Sequence, residues 1–93
     1  MDIGHVRNNA GGIVSFLKAL SNERRFMILC TLYEGEKSVG ALEEIVGLSQ
    51  SALSQHLARL RRDGVVKTRR EAQTIYYSLG HPLAEKILRC FAD

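Results

Sequence analysis

The chain has 93 residues, 45% of them apolar and 25% charged, with a formal net charge of +3. That length allows one small domain whose core is only just large enough to hold it, and the composition excludes wholesale disorder. No run of about 18 apolar residues occurs, which argues against a helical membrane span, and Met1-Asp2-Ile3-Gly4-His5 lacks the basic and apolar regions of a secretory signal.

Two cysteines, Cys30 and Cys90, stand far apart in the sequence. Without a signal they are expected as cytosolic thiols rather than as a disulfide framework, so the expected location is cytoplasmic. The charges fall in blocks. Arg59, Arg61, Arg62, Lys67, Arg69 and Arg70 are opposed within their span only by Asp63, whereas Glu34, Glu36, Glu43 and Glu44 cluster earlier. A basic quarter beside an acidic middle favours a polyanion at one face.

Residues 1–8 show no periodicity and are expected to form a flexible tail before a single domain over 9–93. From about Asn9 to Leu20 the residues Ile13, Val14, Phe16, Leu17 and Leu20 recur at helical spacing. Ser21-Asn22 offers a cap, and Glu23 suits the start of a second helix running to about Tyr33. Phe26, Leu29, Cys30 and Tyr33 share a face of that helix, and Met27, Ile28 and Leu32 make the rest apolar, so it should lie centrally. Ser38 caps a short third helix over about Val39 to Val46, with Leu42, Ile45 and Val46 inward. Gly47-Leu48 turns into a fourth helix that opens at Ser49 and ends by Gly64.

At about 100° per residue, Leu53, Leu57 and Leu60 fall on one side of that fourth helix. Gln50, Ser51, Ser54, Gln55, Ala58, Arg61 and Arg62 cover the other. His56 falls within the leucine side and is expected as a packed residue rather than a base reader. Amides and hydroxyls near the helix start can meet base edges, and arginines can meet bases or phosphates. A short helix, a glycine turn and a helix with a polar outward face make a helix-turn-helix.

Beyond Gly64 the period becomes alternating. Val65 to Arg70 reads as one strand and Ile75 to Leu79 as its partner, joined by Glu71-Ala72-Gln73-Thr74. A basic hairpin in this position is a wing. Pro82 then opens a last helix running to about Ala92, with Leu83, Ile87 and Phe91 on an apolar side. The fold class expected is mainly α with a β-hairpin wing, α-α-α-α-β-β-α, a winged helix-turn-helix that pairs as a homodimer through apolar stripes of its first and last helices.

Asn22-Glu23-Arg24-Arg25, Ser38-Val39-Gly40-Ala41-Leu42, Leu48 to Leu57, Arg61 to Val66 and Ala72 to Tyr77 resemble the hallmarks of the ArsR family of bacterial winged-helix repressors. The chain is most similar to the branch containing HlyU, BigR and NolR. The resemblance implies a homodimer held by the first and last helices, with Ile13, Leu17, Leu83, Ile87 and Phe91 at the interface. It also implies repression at an inverted-repeat operator in double-stranded DNA. The DNA-binding set is Gln50, Ser51, Ser54 and Gln55 for bases, Arg59 and Arg62 (less surely Arg61) near phosphates, and Arg69, Arg70, Gln73 and Thr74 on the wing.

Cys30 matches the position of a reactive cysteine in that branch, so the resemblance implies release of DNA by persulfides or oxidants, with Cys90 as the second thiol. Cys90 stands about six residues, or roughly 240° of helical rotation, ahead of the relatives' partner cysteine. Metal sensing is the family's commoner mode, but the third helix has no cysteine, and His81 with Glu85 falls short of three or four ligands. No metal site and no cofactor are expected. A metal-responsive repressor and a protein-docking winged helix without DNA binding stay open as alternatives. No catalytic constellation is present, so an enzyme is not expected.

Overall fold

The computed structural model describes residues 1–92; Asp93, the last residue of the expected domain, lies outside them. Five helices and a three-stranded sheet follow one another as α1 (Ile3–Leu20), α2 (Glu23–Tyr33), β1 (Lys37–Ser38), α3 (Val39–Val46), α4 (Gln50–Arg62), β2 (Val66–Glu71), β3 (Thr74–Leu79) and α5 (Ala84–Arg89).

α1 begins six residues earlier than its apolar periodicity suggests. The cause is a cap: the Asp2 carboxylate accepts from the Gly4 and His5 amides at 3.0 and 3.3 Å, satisfying donors that would otherwise fray the first turn. The first residues expected as a tail are therefore helical. Gly11 and Gly12 stay inside the helix, each at a cost of about 1 kcal/mol against alanine. At Gly12 the missing side chain leaves room for His81, whose ring also packs on Phe16 at 4.8 Å.

α2 is the central helix. Asn22 caps it through the Arg25 amide at 3.1 Å, and Ile28, Leu29 and Leu32 are buried among Phe16, Leu42, Leu53, Leu57, Leu60, Val65 and Leu88. Arg25 is buried as well. Its guanidinium donates to the Ala19 and Lys18 carbonyls, both at 3.1 Å, and so closes the C-terminal end of α1. Burial, chiefly, and the neighbouring Arg59 lower its pKa, while Asp63 acts in the opposite direction.

Ser38 ends β1 and caps α3, accepting from the Ala41 amide at 3.1 Å. Leu42 is buried and Val39 and Val46 are half-buried, but Ile45, expected inward, is 55% exposed. It lies about 100° around the helix from Val46 and so outside the stripe that meets α2. Gly47 takes φ 75°, a left-handed conformation open to glycine at little cost, and turns the chain into α4.

The sheet order is β1-β3-β2, antiparallel throughout. β1 has only two residues, too few for alternation to show in sequence. In the hairpin Glu71 pairs with Thr74, which leaves a two-residue tip of Ala72 and Gln73, tighter than the four-residue link expected. Ala72 sits at φ 56°, as the tight turns that follow strand twist require. Gly80 leaves the sheet so close to β2 that a Cβ there would lie 3.1 Å from the Lys67 nitrogen.

α5 is shorter than the expected span from Pro82 to Ala92. At its start the Leu83 amide donates to His81 Nδ1 at 3.1 Å rather than entering the helix. At its end Cys90, Phe91 and Ala92 bond back three residues, to Ile87, Leu88 and Arg89, a tighter winding that does not extend far.

Candidate nucleic-acid interface

α4 is held in place from beneath. Leu53 and Leu60 are wholly inaccessible and Leu57 is nearly so, which fixes the helix about its axis and turns its other side outward. Ser49 caps the start through the Ala52 amide at 3.2 Å. Gln50, Ser51, Ser54 and Gln55 line the exposed N-terminal half, and Ala58, Arg59, Arg61 and Arg62 the C-terminal half. Asp63 lies 3.8 Å from the Nε atoms of both Arg59 and Arg62. At that length neither contact is a strong hydrogen bond, and both arginines keep donors free.

The wing rises beside this helix. A crease of about 480 Å³ separates α4 from α3 and β3, lined by Ser54, Ala58, Arg61, Arg62 and Tyr77 among others. A second crease of about 320 Å³, between α4 and β2, is lined by Arg61, Thr68, Arg69, Arg70 and Ile75. Gln73 and Thr74 face Ser38, Val39 and Gly40 at the start of α3 across a third. Arg61 is common to the first two, so it stands where helix and wing meet. Sequence reasoning left it doubtful because helical position alone does not place the wing. Thr68 and Tyr77 also line these creases and carried no signal of their own.

All ten residues expected to meet DNA are exposed, but they are not equally free. Arg70 projects from β2 near the tip. Arg69 is engaged: its Nε lies 2.9 Å from both Glu36 oxygens, one terminal nitrogen 2.7 Å from Glu36 Oε1, and the other 2.8 Å from Glu71 Oε2. Its guanidinium carbon also stands 4.4 Å over the Tyr76 ring. These hydrogen bonds, that to Glu36 first, raise the Arg69 pKa further above its already high value.

His56 is half-buried on the inner flank of α4. Burial, followed by the charges of Arg25, Arg24 and Arg59, holds its pKa below the ordinary 6.5. Cys30 is half-buried and borders a groove of about 270 Å³ with Tyr33, Glu34, Leu88, Phe91 and Ala92. Burial pushes its thiol pKa up. Cys90 does not line that groove; it is exposed, and its sulfur approaches the Lys86 carbonyl at 3.8 Å. The same geometry leaves the sulfurs of Cys30 and Cys90 without a shared pocket.

Of the expected interface residues, Leu17 and Phe91 are 49% and 56% exposed, and Ile13, Leu83 and Ile87 are half-buried. Val14 and Met27 extend the exposed apolar surface, and Phe91 meets Phe26 edge to face at 5.4 Å. Among the described residues no three His, Cys, Asp or Glu side chains gather closely enough to hold a metal ion. No helix among them is long and apolar enough to cross a membrane.

Residues 22–68, from the cap of α2 to the middle of β2, match the family model of bacterial regulatory proteins of the arsR family. Over 79 residues, covering 85% of this chain and 73% of the relative, the sequence is 56% identical to the transcriptional activator HlyU of Vibrio cholerae. The crystal structure of the transcriptional repressor BigR from Xylella fastidiosa superposes with a TM-score of 0.86 at 40% identity, over 98% of this chain and 93% of that one. A homodimeric winged helix-turn-helix DNA-binding domain from Mycobacterium bovis, solved in solution, gives 0.79 at 27% identity, over 98% and 82% of the two chains.

Proposed function

Because the chain belongs to the ArsR family and is a winged helix-turn-helix transcriptional regulator of the HlyU and BigR kind, we propose that it represses transcription as a homodimer bound to an inverted-repeat operator. One observation carries this reading: α4 buries its three leucines and presents an unbroken polar face that turns from amides and hydroxyls to arginines along its length. Gln50, Ser51, Ser54 and Gln55 would read base edges in the major groove, and Arg59, Arg61 and Arg62 would take phosphates as the backbone leaves it. Arg70, Gln73 and Thr74 would extend the footprint along the wing.

The homodimer is supported by the apolar surface of α1 and α5 and by the homodimeric Mycobacterium bovis domain. Two subunits related by a two-fold axis would place their α4 helices on half-sites about one helical turn apart, which is why the operator is an inverted repeat.

The reading includes a thiol switch at Cys30, supported by its place beside an open groove between α2 and the residues after α5. Its raised pKa leaves little thiolate at neutral pH, so modification by persulfide or oxidant should speed up as pH rises. Cys90 would react separately, as an exposed thiol.

Fluorescence anisotropy on the DNA upstream of the protein's own gene tests all three parts. Reduced protein should bind tightly, Gln55→Ala should lose sequence preference while keeping non-specific affinity, and polysulfide treatment should release the DNA until reductant is added. Tight binding indifferent to treatment would remove the switch and leave the repressor. Equal binding by wild type and Gln55→Ala to cognate and scrambled duplexes would remove the base-reading assignment.

A further inference from the structure

Arg69 lies in the middle of the basic run, and its sequence position suggests a phosphate contact. The geometry points to a different role: we infer that Arg69 is a positioning residue that braces the wing against the helix-turn-helix, and that Arg70 and Arg61 carry the phosphate contacts there. This inference rests on the DNA-binding reading above and specifies how that site is built.

The brace runs across all three strands. Arg69 on β2 is directly opposite Tyr76 on β3, and Tyr76 is directly opposite Ser38 on β1. The Arg69 side chain crosses the Tyr76 ring and ends on Glu36, the residue before β1. Ser38, two residues on, caps α3, the first helix of the helix-turn-helix. A single side chain therefore joins the wing strand to the segment that starts the DNA-binding motif. The β1–β3 pairing is otherwise only two residues long, so little else fixes the sheet edge.

An isolated surface ion pair does little for stability, but a planar guanidinium in bidentate contact, with a second carboxylate and an aromatic face, is a network that specifies geometry. The same network removes Arg69 from phosphate binding. Its donors point at Glu36 and Glu71, and the three charges sum to −1. A phosphate arriving there would have to displace two carboxylates that are already in place.

The test compares Glu36→Gln, Arg69→Gln and Arg70→Gln for binding to a short duplex across a salt series, and for amide hydrogen exchange in β1 and β3 without DNA. A brace predicts that Glu36→Gln weakens binding by roughly fivefold although it removes a negative charge, and that Arg69→Gln weakens it without changing the salt slope. Arg70→Gln alone should lower that slope, by about 0.9 for one lost phosphate contact. Exchange in β1 and β3 should quicken in Glu36→Gln and Arg69→Gln and not in Arg70→Gln.

Tighter binding by Glu36→Gln, with a slope reduced by Arg69→Gln, would mean a phosphate contact held in check and would overturn the brace. Unchanged affinity and unchanged exchange in both variants would overturn it too. If the wild type showed no salt-sensitive duplex binding, the DNA reading itself would fail, and the exchange rates would still decide whether Arg69 orders the sheet edge.

Discussion

α4 and α1 are both amphipathic, yet their apolar sides have different fates. Leu53, Leu57 and Leu60 of α4 are satisfied within the chain, whereas α1 buries Phe16 and Ala19 and leaves Val14 and Leu17 about half exposed. Periodicity identifies the side of a helix that seeks protein. It does not say whether that protein is the same molecule. α4 is thus fixed as a scaffold for its polar face, and α1 carries surface that only a second copy would cover in the proposed dimer.

The contrast can be broken most forcefully at Leu57. Leu57→Ala should remove about 2–5 kcal/mol of folding stability, the usual cost of emptying a packed leucine site, read by urea denaturation. Loss well under 1 kcal/mol would mean that α4 is not seated by its leucines. Leu17→Asp should do the reverse, leaving the helical circular dichroism intact while weakening self-association at least tenfold, or about 1.4 kcal/mol, in sedimentation equilibrium. If the variant stayed as dimeric as wild type, α1 would not be the interface helix.

The smallest effect sharpens the comparison on α4 alone. Folding holds the His56 pKa below its unfolded value near 6.5, so between the two values the unfolded chain binds more protons. Stability contributed by neutral His56 is full above that unfolded value and is lost as pH falls through the folded one. Denaturation midpoints should therefore drop on acidification below pH 6.5, and less steeply in His56→Gln. A midpoint with the same acid slope in both proteins would place His56 outside the packed flank.

Much of this architecture was legible because its signals are local. Ser38, Asn22 and Ser49 cap the helices they precede, Gly47 marks the turn, and the change from helical to alternating period marks the wing. The polar arc of α4 was legible for the same reason. What stayed hidden depends on distance in sequence. Glu36 and Arg69 are 33 residues apart, and nothing near either one announces the other, so two charge blocks that read as separate are joined at their edges. Arg61 acquires its place only once the wing folds beside α4. The early start of α1 had a local signal in Asp2, but the apolar periodicity drew attention past it, and α5 was overextended because its stripe continues into residues that wind more tightly than a helix.

Arg25 closes the end of α1 from within α2 and lies close enough to Arg59 and Asp63 at the end of α4 to feel their charges. In the proposed dimer this makes the molecule a gauge as well as a reader. The partner's position enters through α1, passes through a buried guanidinium that tolerates little play, and emerges as the separation of two α4 helices. Such a device rejects half-sites at the wrong spacing before any base is inspected, and an operator lengthened by a few base pairs would be refused on its dimensions even with every contacted base intact.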